Sequence, residues 1–558
     1  MLPRIASIVA KIFAFVVLLI IPMRGRAIGD VAWEVLAAEN PNLYTPPLTG
    51  AARRTFSHPG VNDSDGGQVG FNVISPADGS GFWTRQAQGL IRYAQLDTSG
   101  TSGPGRSGAE SAHVFRNLNS AQRDSGGGGQ RVFVARAGDP SLPVDAASYG
   151  VWRWDLVHNV EVARTGTDAT LGPGLGAGWT FPSVANFTQV RSIQGGRVLL
   201  DAKVNGPGGI ARNLIARHVP GLGNRPCLLS LSTDPGLAPG LSAGDSFATN
   251  FGDPYKPAVD AQGRVFGSFY ASGSRVGIWE VCNGAPIARA VDDETGARGP
   301  GVANTAAVFS SFDARVVPSG NGFLYFFALA RESIAGGSAT ITGLFRNDGT
   351  HNEAIALLGV SGAFSPNWQG STFSQFSDNT LDAAGSYATF GASVQTAGGG
   401  ATGLWRSAPG GLQPAAILNL EGAYGPEPGS TWKSFRERSI LANGDIVMAA
   451  ETLPANELAV WLLQIGAAPR RILRPGQNLT LPTVSGPVIA AVSSIALPGE
   501  ADGITIDTAR PASGRDAWIA SDGTVLLQVN MGSTYGSVLI SARPTNPDDV
   551  IFRDGFDG

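Results

Sequence analysis

The sequence predicts an all-β fold, a single β-propeller of about eight four-stranded blades, with seven blades as the alternative. Three observations predict it. A glycine-led strand pattern recurs along nearly the whole chain. A second pattern, centred on an aromatic residue, alternates with it. The 76 glycines and 36 prolines in 558 residues suit many tight turns joining short strands.

The glycine pattern is a Gly, a residue or two, then alternating apolar positions. It starts at Gly67 (GQVGFNV), Gly129 (GQRVFVA), Gly196 (GRVLLDAKV), Gly263 (GRVFGSFY), Gly322 (GFLYFFAL), Gly385 (GSYATFGASV), Gly444 (GDIVMAAET) and Gly503 (GITIDT). Successive glycines lie roughly 59 to 67 residues apart, enough for four strands with their loops. Apolar alternation over a few residues, bounded by Gly, Asn, Asp or Pro, marks a half-buried strand.

The second pattern is a small residue, an aliphatic, an aromatic and often a charge. Its copies include Val151-Trp152-Arg153, Ile278-Trp279-Glu280, Leu344-Phe345-Arg346, Leu404-Trp405-Arg406 and Val460-Trp461, with Phe82-Trp83 and Ala517-Trp518 as looser matches. The missing slot is assigned to Ile210-Ala211-Arg212, where the aromatic is lost and a thinner contact is expected. A large ring recurring once per unit suits a contact between neighbouring sheets. The unpaired copy at Trp33 (VAWEVL) suggests that a strand from the start of the chain closes the ring with strands from its end, removing an exposed edge. The Gly/Ser-rich stretch from Thr98 to Gly129 and the stretch from Ser365 to Ser377 are expected to be surface loop excursions.

The segment 1–27 reads as a secretory signal. Arg4 and Lys11 precede the apolar run from Ile12 to Met23, and Gly25-Arg26-Ala27 offers small residues for cleavage after Ala27. An uncleaved anchor is the alternative, and no other segment is long and apolar enough to span a bilayer. The propeller is assigned to 28–545 and a tail to 546–558. The mature protein is expected to be secreted or held in the cell envelope or periplasm, as a monomer.

Charged residues make up only 15% of the chain, and the formal net charge is −4 with a pI near 5.8. Nothing in the sequence forms a basic footprint dense enough for nucleic acid. Lys11, Lys203, Lys256 and Lys433 are the only lysines, and the arginines read as solvated surface.

Candidate sites are few. Cys227 and Cys282 either form a disulfide, which an oxidising compartment permits, or stay as two buried thiols. In Asn62-Asp63-Ser64-Asp65-Gly66, Asp63 and Asp65 are candidate calcium ligands, although the distal Glu of such a loop is missing and Asn, Asp and Gly make turns unaided. The five histidines are dispersed without metal-ligand spacing. A G-x-S-x-G nucleophile elbow is missing, and no catalytic residue or cofactor is assigned.

The glycine-led openers Asp260-Ala261-Gln262-Gly263 and Asn443-Gly444-Asp445-Ile446, with Gly343-Leu344-Phe345-Arg346 and Gly403-Leu404-Trp405-Arg406, resemble the exported bacterial tandem-repeat proteins described by an NxxGxxxF repeat. The resemblance implies export and a repeat fold rather than a reaction. The tail from Asp548 to Gly558 resembles a terminal sorting tag. The expected function is therefore non-catalytic: a binding or surface module for an extracellular polymer or protein. The alternative is a propeller-type hydrolase or lyase acting on extracellular carbohydrate.

Overall fold

In a computed structural model of the chain, the structure describes residues 33–38, 40, 55–61, 69–75, 79–86, 89–125, 130–167, 169–182, 187–193, 195–249, 257–260, 262–302, 304–334, 337–483, 485–496 and 525–542. The signal, Asp63 and Asp65, the Gly503 and Trp518 copies and the C-terminal tail lie outside them.

The repeat builds antiparallel four-stranded blades, each from consecutive strands. Blade 1 spans 55–95, blade 2 114–164, blade 3 187–229, blade 4 258–291, blade 5 308–357, blade 6 372–417 and blade 7 431–473. The seven-blade count is thus the one shown for blades of this kind, in place of about eight. A further four-stranded sheet is composite. The N-terminal strand Glu34–Ala38 pairs with Ser537–Ala542, followed by Val525–Asn530 and Ser494–Ala496. This closing sheet packs beside blade 7 on one side and blade 1 on the other, which completes the ring. A small hairpin, Asn478–Leu481 with Val488–Ala491, lies against the same core.

Among the described residues, the glycine-led segments form the second strands of blades 1 to 7, and the aromatic segments at Trp83, Trp152, Trp279, Phe345, Trp405 and Trp461 form third strands. The aromatic faces the preceding blade. Trp152 packs with Phe82, Tyr93 and Ala94 of blade 1, and Trp279 with Ile193, Leu199 and Leu228 of blade 3. It also meets an inner aromatic of its own blade edge to face. The pairs Phe115–Trp152, Phe247–Trp279, Phe309–Phe345, Phe373–Trp405 and Trp432–Trp461 have centroids 5.2, 5.3, 5.0, 5.6 and 4.8 Å apart. Edge-to-face contact brings the positive rim of one ring to the negative face of the other.

Two residues before the aromatic stands a glycine in blades 1, 2, 4, 5 and 6 and an alanine, Ala459, in blade 7, and the reason for the glycine is steric. A Cβ on Gly150 would lie 2.8 Å from the Trp152 ring and 2.7 Å from the Ala163 carbonyl oxygen. Gly277 and Gly403 are equally closed.

The slot that lacks its aromatic is corrected by this register. Ala211 only begins the third strand of blade 3, opposite Asn205. The bulge that precedes Trp152 and Trp279 falls in blade 3 between Ile215 and Ala216, so Ala216 holds the aromatic position. There the glycine is replaced as well: Leu214, fully buried, stands in its place. A large residue has moved two positions along the strand, and Leu214 and Ala216 pack together in the core shared with blade 2.

The expected loop excursions are corrected in part: residues 98–113 and 365–371 connect blades, but the rest of each described stretch is strand. Val114–Ser125 and Thr372–Ala384 are the innermost strands of blades 2 and 6. They are bulged twice, which breaks the alternation that would mark them as strands.

Candidate functional site

The connections from each outer strand to the next blade carry the most elaborate local chemistry. Immediately after the outer strand, a backbone N–H donates to the carbonyl of the next blade's inner aromatic. Asp97, Gly166, Leu231, Asp293, Gly359 and Asn419 do so to Phe115, Phe181, Phe247, Phe309, Phe373 and Trp432, at 2.8–2.9 Å. All six donors have positive φ. Glycine holds that conformation without strain, and Asn and Asp hold it more cheaply than most residues.

Further along come Gly103-Pro104-Gly105, Gly172-Pro173-Gly174 and Gly299-Pro300-Gly301. These loops are clasped by an asparagine at the start of the next outer strand. The Asn159 amide donates to Tyr93 O (2.7 Å) in blade 1 and to Gly103 O (2.8 Å). Asn224 donates to Val162 O (3.0 Å) in blade 2 and Gly172 O (2.7 Å). Asn352 donates to Arg289 O (3.2 Å) in blade 4 and Gly299 O (3.0 Å). The second glycine admits nothing larger, since a Cβ on Gly105, Gly174 or Gly301 would lie 2.1, 2.0 or 1.8 Å from the asparagine's own carbonyl oxygen. Trp152 donates its indole N–H to Pro104 O in the first of these loops, and Trp279 donates to Pro239 O of Ala238-Pro239-Gly240 in the connection from blade 3 to blade 4. The Gly-Pro-Gly recurrence was present in the sequence and was hidden by its likeness to ordinary turn composition.

One loop carries a dense ionic cluster. Arg106 and Glu161 have side chains only 4% and 6% exposed and form a two-point ion pair, with Nε–Oε2 3.0 Å and Nη2–Oε1 2.8 Å. Arg106 also donates to His113 Nδ1 at 3.0 Å and Ser148 Oγ at 2.8 Å. Arg164 bridges Glu161 and Glu110, reaching Glu110 at 2.9 and 3.1 Å. Burial pushes the Glu110 carboxyl up, but hydrogen bonds and charge from Arg164, with Arg106 and His113 behind, leave its pKa below the usual value. That is the reverse of what a general acid needs.

The other buried carboxylates with described partners are similarly engaged. Asp260 accepts from Arg264 Nε at 2.6 Å, Asp292 from Arg275 Nε at 2.9 Å, and Glu280 pairs with Arg289. Asp382 in blade 6 accepts from Ser439 Oγ (3.1 Å) and Ile440 N (2.9 Å) of blade 7. Asp445 accepts from Asn443 Nδ2 and Ile465 N. Arginines also tie blades together: Arg153 reaches Gly196 O at 2.9 Å and Arg406 reaches Leu463 O at 3.1 Å, each on the following blade. These arginines are structural, which corrects their reading as solvated surface.

The two cysteines are bonded to each other, and their Cα atoms are 4.5 Å apart. Among the described residues, no group of three or more His, Cys, Asp or Glu is placed to hold a metal ion. His113, His158, His218 and His351 sit apart, and the last three have partners of their own in Asp155, Asn224 and Asp348. No described helix is long and apolar enough to cross a membrane.

No family model and no curated protein matches the chain. Solved structures of similar fold include the β-propeller domain of the Trilobed protease from Pyrococcus furiosus. It is 8% identical, with a TM-score of 0.30, over 75% of this chain and 95% of that one. An ulvan lyase of a polysaccharide lyase family is 8% identical, with a TM-score of 0.29, over 87% and 95%. An α-L-arabinanase from Penicillium chrysogenum, solved with arabinobiose, is 9% identical, with a TM-score of 0.22, over 77% and 94%. The likeness concerns the fold alone.

Proposed function

We propose that the chain is an exported, non-catalytic β-propeller module that binds an extracellular polymer or a partner protein through the loops on one face of the ring. The observation that carries this reading is the engagement of the buried carboxylates. Glu161, Asp260, Glu280, Asp292, Asp382 and Asp445 each accept from an arginine, a side-chain donor or a backbone amide that fixes a loop or a neighbouring blade. Carboxylates held in this way stabilise a scaffold rather than move protons. A rigid ring with variable loops is a common platform for binding. Export is supported by the signal-like 1–27 segment, by the resemblance to exported repeat proteins and by a disulfide, which persists in oxidising compartments.

The test uses the chain from residue 28, produced in an oxidising compartment. It is presented to a panel of extracellular polysaccharides and to cell-envelope extract, with products assayed alongside binding. Saturable binding without new reducing ends or unsaturated sugars supports the proposal. Release of either product would replace it with the hydrolase or lyase reading.

A further inference from the structure

We propose that the Cys227–Cys282 disulfide is a redox-dependent latch across the seam between blades 3 and 4, and that this seam is the first to open when the disulfide is reduced. Cys227 lies in the outer strand of blade 3, Gly223–Leu229, and Cys282 directly follows the third strand of blade 4, Val276–Val281. The bond therefore joins facing surfaces of neighbouring blades rather than strands of one sheet, and it closes a sequence separation of 55 residues.

Three observations set this seam apart. The first is the bond itself: the chain has two cysteines, so no other pair of blades can be tied by a disulfide within the chain.

The second is the surrounding core. Ile193, Leu199, Ile215 and Leu228 of blade 3 pack with Val265, Phe269, Trp279 and Val281 of blade 4 around the two cysteines, each 4% exposed. A thiol reductant therefore reaches the sulfurs only after local opening.

The third is the backbone. Cys282 has φ +68°, a left-handed conformation that glycine adopts without strain and that disfavours a side chain with a Cβ. If the bond contributed nothing, glycine would serve better at this position.

The chemistry is ordinary exchange. A thiolate of an added dithiol attacks one sulfur and forms a mixed disulfide. Its second thiol displaces that mixed disulfide, leaving two cysteine thiols on the protein and a disulfide in the oxidised dithiol.

The experiment is native-state hydrogen exchange on the whole chain, oxidised and after treatment with dithiothreitol, read at strands flanking each seam. Reduction is expected to speed exchange at least about tenfold in Gly223–Leu229 and Val276–Val281, with strands of blades 5 and 6 unchanged. Cys282→Gly and the double variant Cys227→Ser/Cys282→Gly are expected to reproduce that local change. Uniform acceleration around the ring would overturn the proposal, as would a Cys282→Gly chain with unchanged or stronger protection at this seam.

Discussion

At the scale of single residues, the governing rule is exchange of volume between two positions on one face of a strand. Gly150 leaves the space that the Trp152 ring fills, whereas Leu214 fills the space left open by Ala216. Gly150→Ala is expected to destabilise the protein by about 1–3 kcal/mol, since neither a backbone carbonyl nor a packed indole can move away cheaply. In blade 3, Ala216→Trp alone should be destabilising, and Leu214→Gly added to it should recover part of the loss. Denaturant unfolding of the two single variants and the double variant measures the coupling, expected at about 0.5–3 kcal/mol. Additive effects would show that the two positions do not share one space. The aromatic pattern was legible in sequence. The empty slot was misplaced because the tripeptide Ile-Ala-Arg stands at both Ile210 and Ile215 of blade 3, and only the strand register separates them.

His218 belongs to the same scale. Burial pushes its pKa below 6.5, Arg153 adds to the shift, and a hydrogen bond to Asn224 opposes it. The folded state thus binds this proton less readily than the unfolded state. The contribution to stability is complete above the unfolded value near 6.5 and is lost as pH falls from there through the folded pKa. The denaturant midpoint should fall between pH 7.5 and pH 5.5, and His218→Gln should flatten that slope. An equal slope in both proteins would remove His218 as its source.

At the scale of elements, blades are joined by loops that thread back and are clasped. Asn352→Ala removes the amide whose two N–H groups are shared among the Arg289, Ala297 and Gly299 carbonyls, so a loss of about 1–3 kcal/mol is expected. The ionic cluster should be costlier to break. Glu161→Gln takes from Arg106, 4% exposed, its two-point charge partner and leaves only Glu110 at 3.9 Å, and a loss of about 3–5 kcal/mol is expected in equilibrium unfolding. A loss below about 1 kcal/mol would mean that the cluster is solvated in practice. Little of this was legible beforehand. Strands announce themselves by alternation, but a clasp needs one asparagine, one proline and two glycines from separate segments, and each reads alone as turn material. The inner strands were misread for a related reason: their double bulges erase the two-residue period.

At the scale of the molecule, the ring depends on its ends. The blades repeat one sequence pattern, so their architecture was legible from that pattern. The expectation of closure at Trp33 rested on a count of copies, and the pairing of Glu34–Ala38 with Ser537–Ala542 supplies it. Seven blades are built from consecutive strands and the closing sheet from both ends of the chain, whereas the eighth glycine copy, at Gly503, lies outside the described residues. Acid should loosen the whole assembly. Hydrogen bonds from Arg436 and Lys433 hold Glu451 at about 2, and backbone and side-chain donors from His351 and Thr350 hold Asp348 at about 2 against its burial. Their contribution, present above the ordinary carboxylate range, is lost as pH falls through that range toward 2.

The most direct test of the closed ring is to remove residues 33–38 and follow amide exchange in Ser537–Ala542 together with the melting temperature. The account predicts that the amides of Ser537–Ala542 facing the deleted strand lose protection and that the melting temperature falls. Unchanged protection and an unchanged melting temperature would contradict closure by the two ends of the chain.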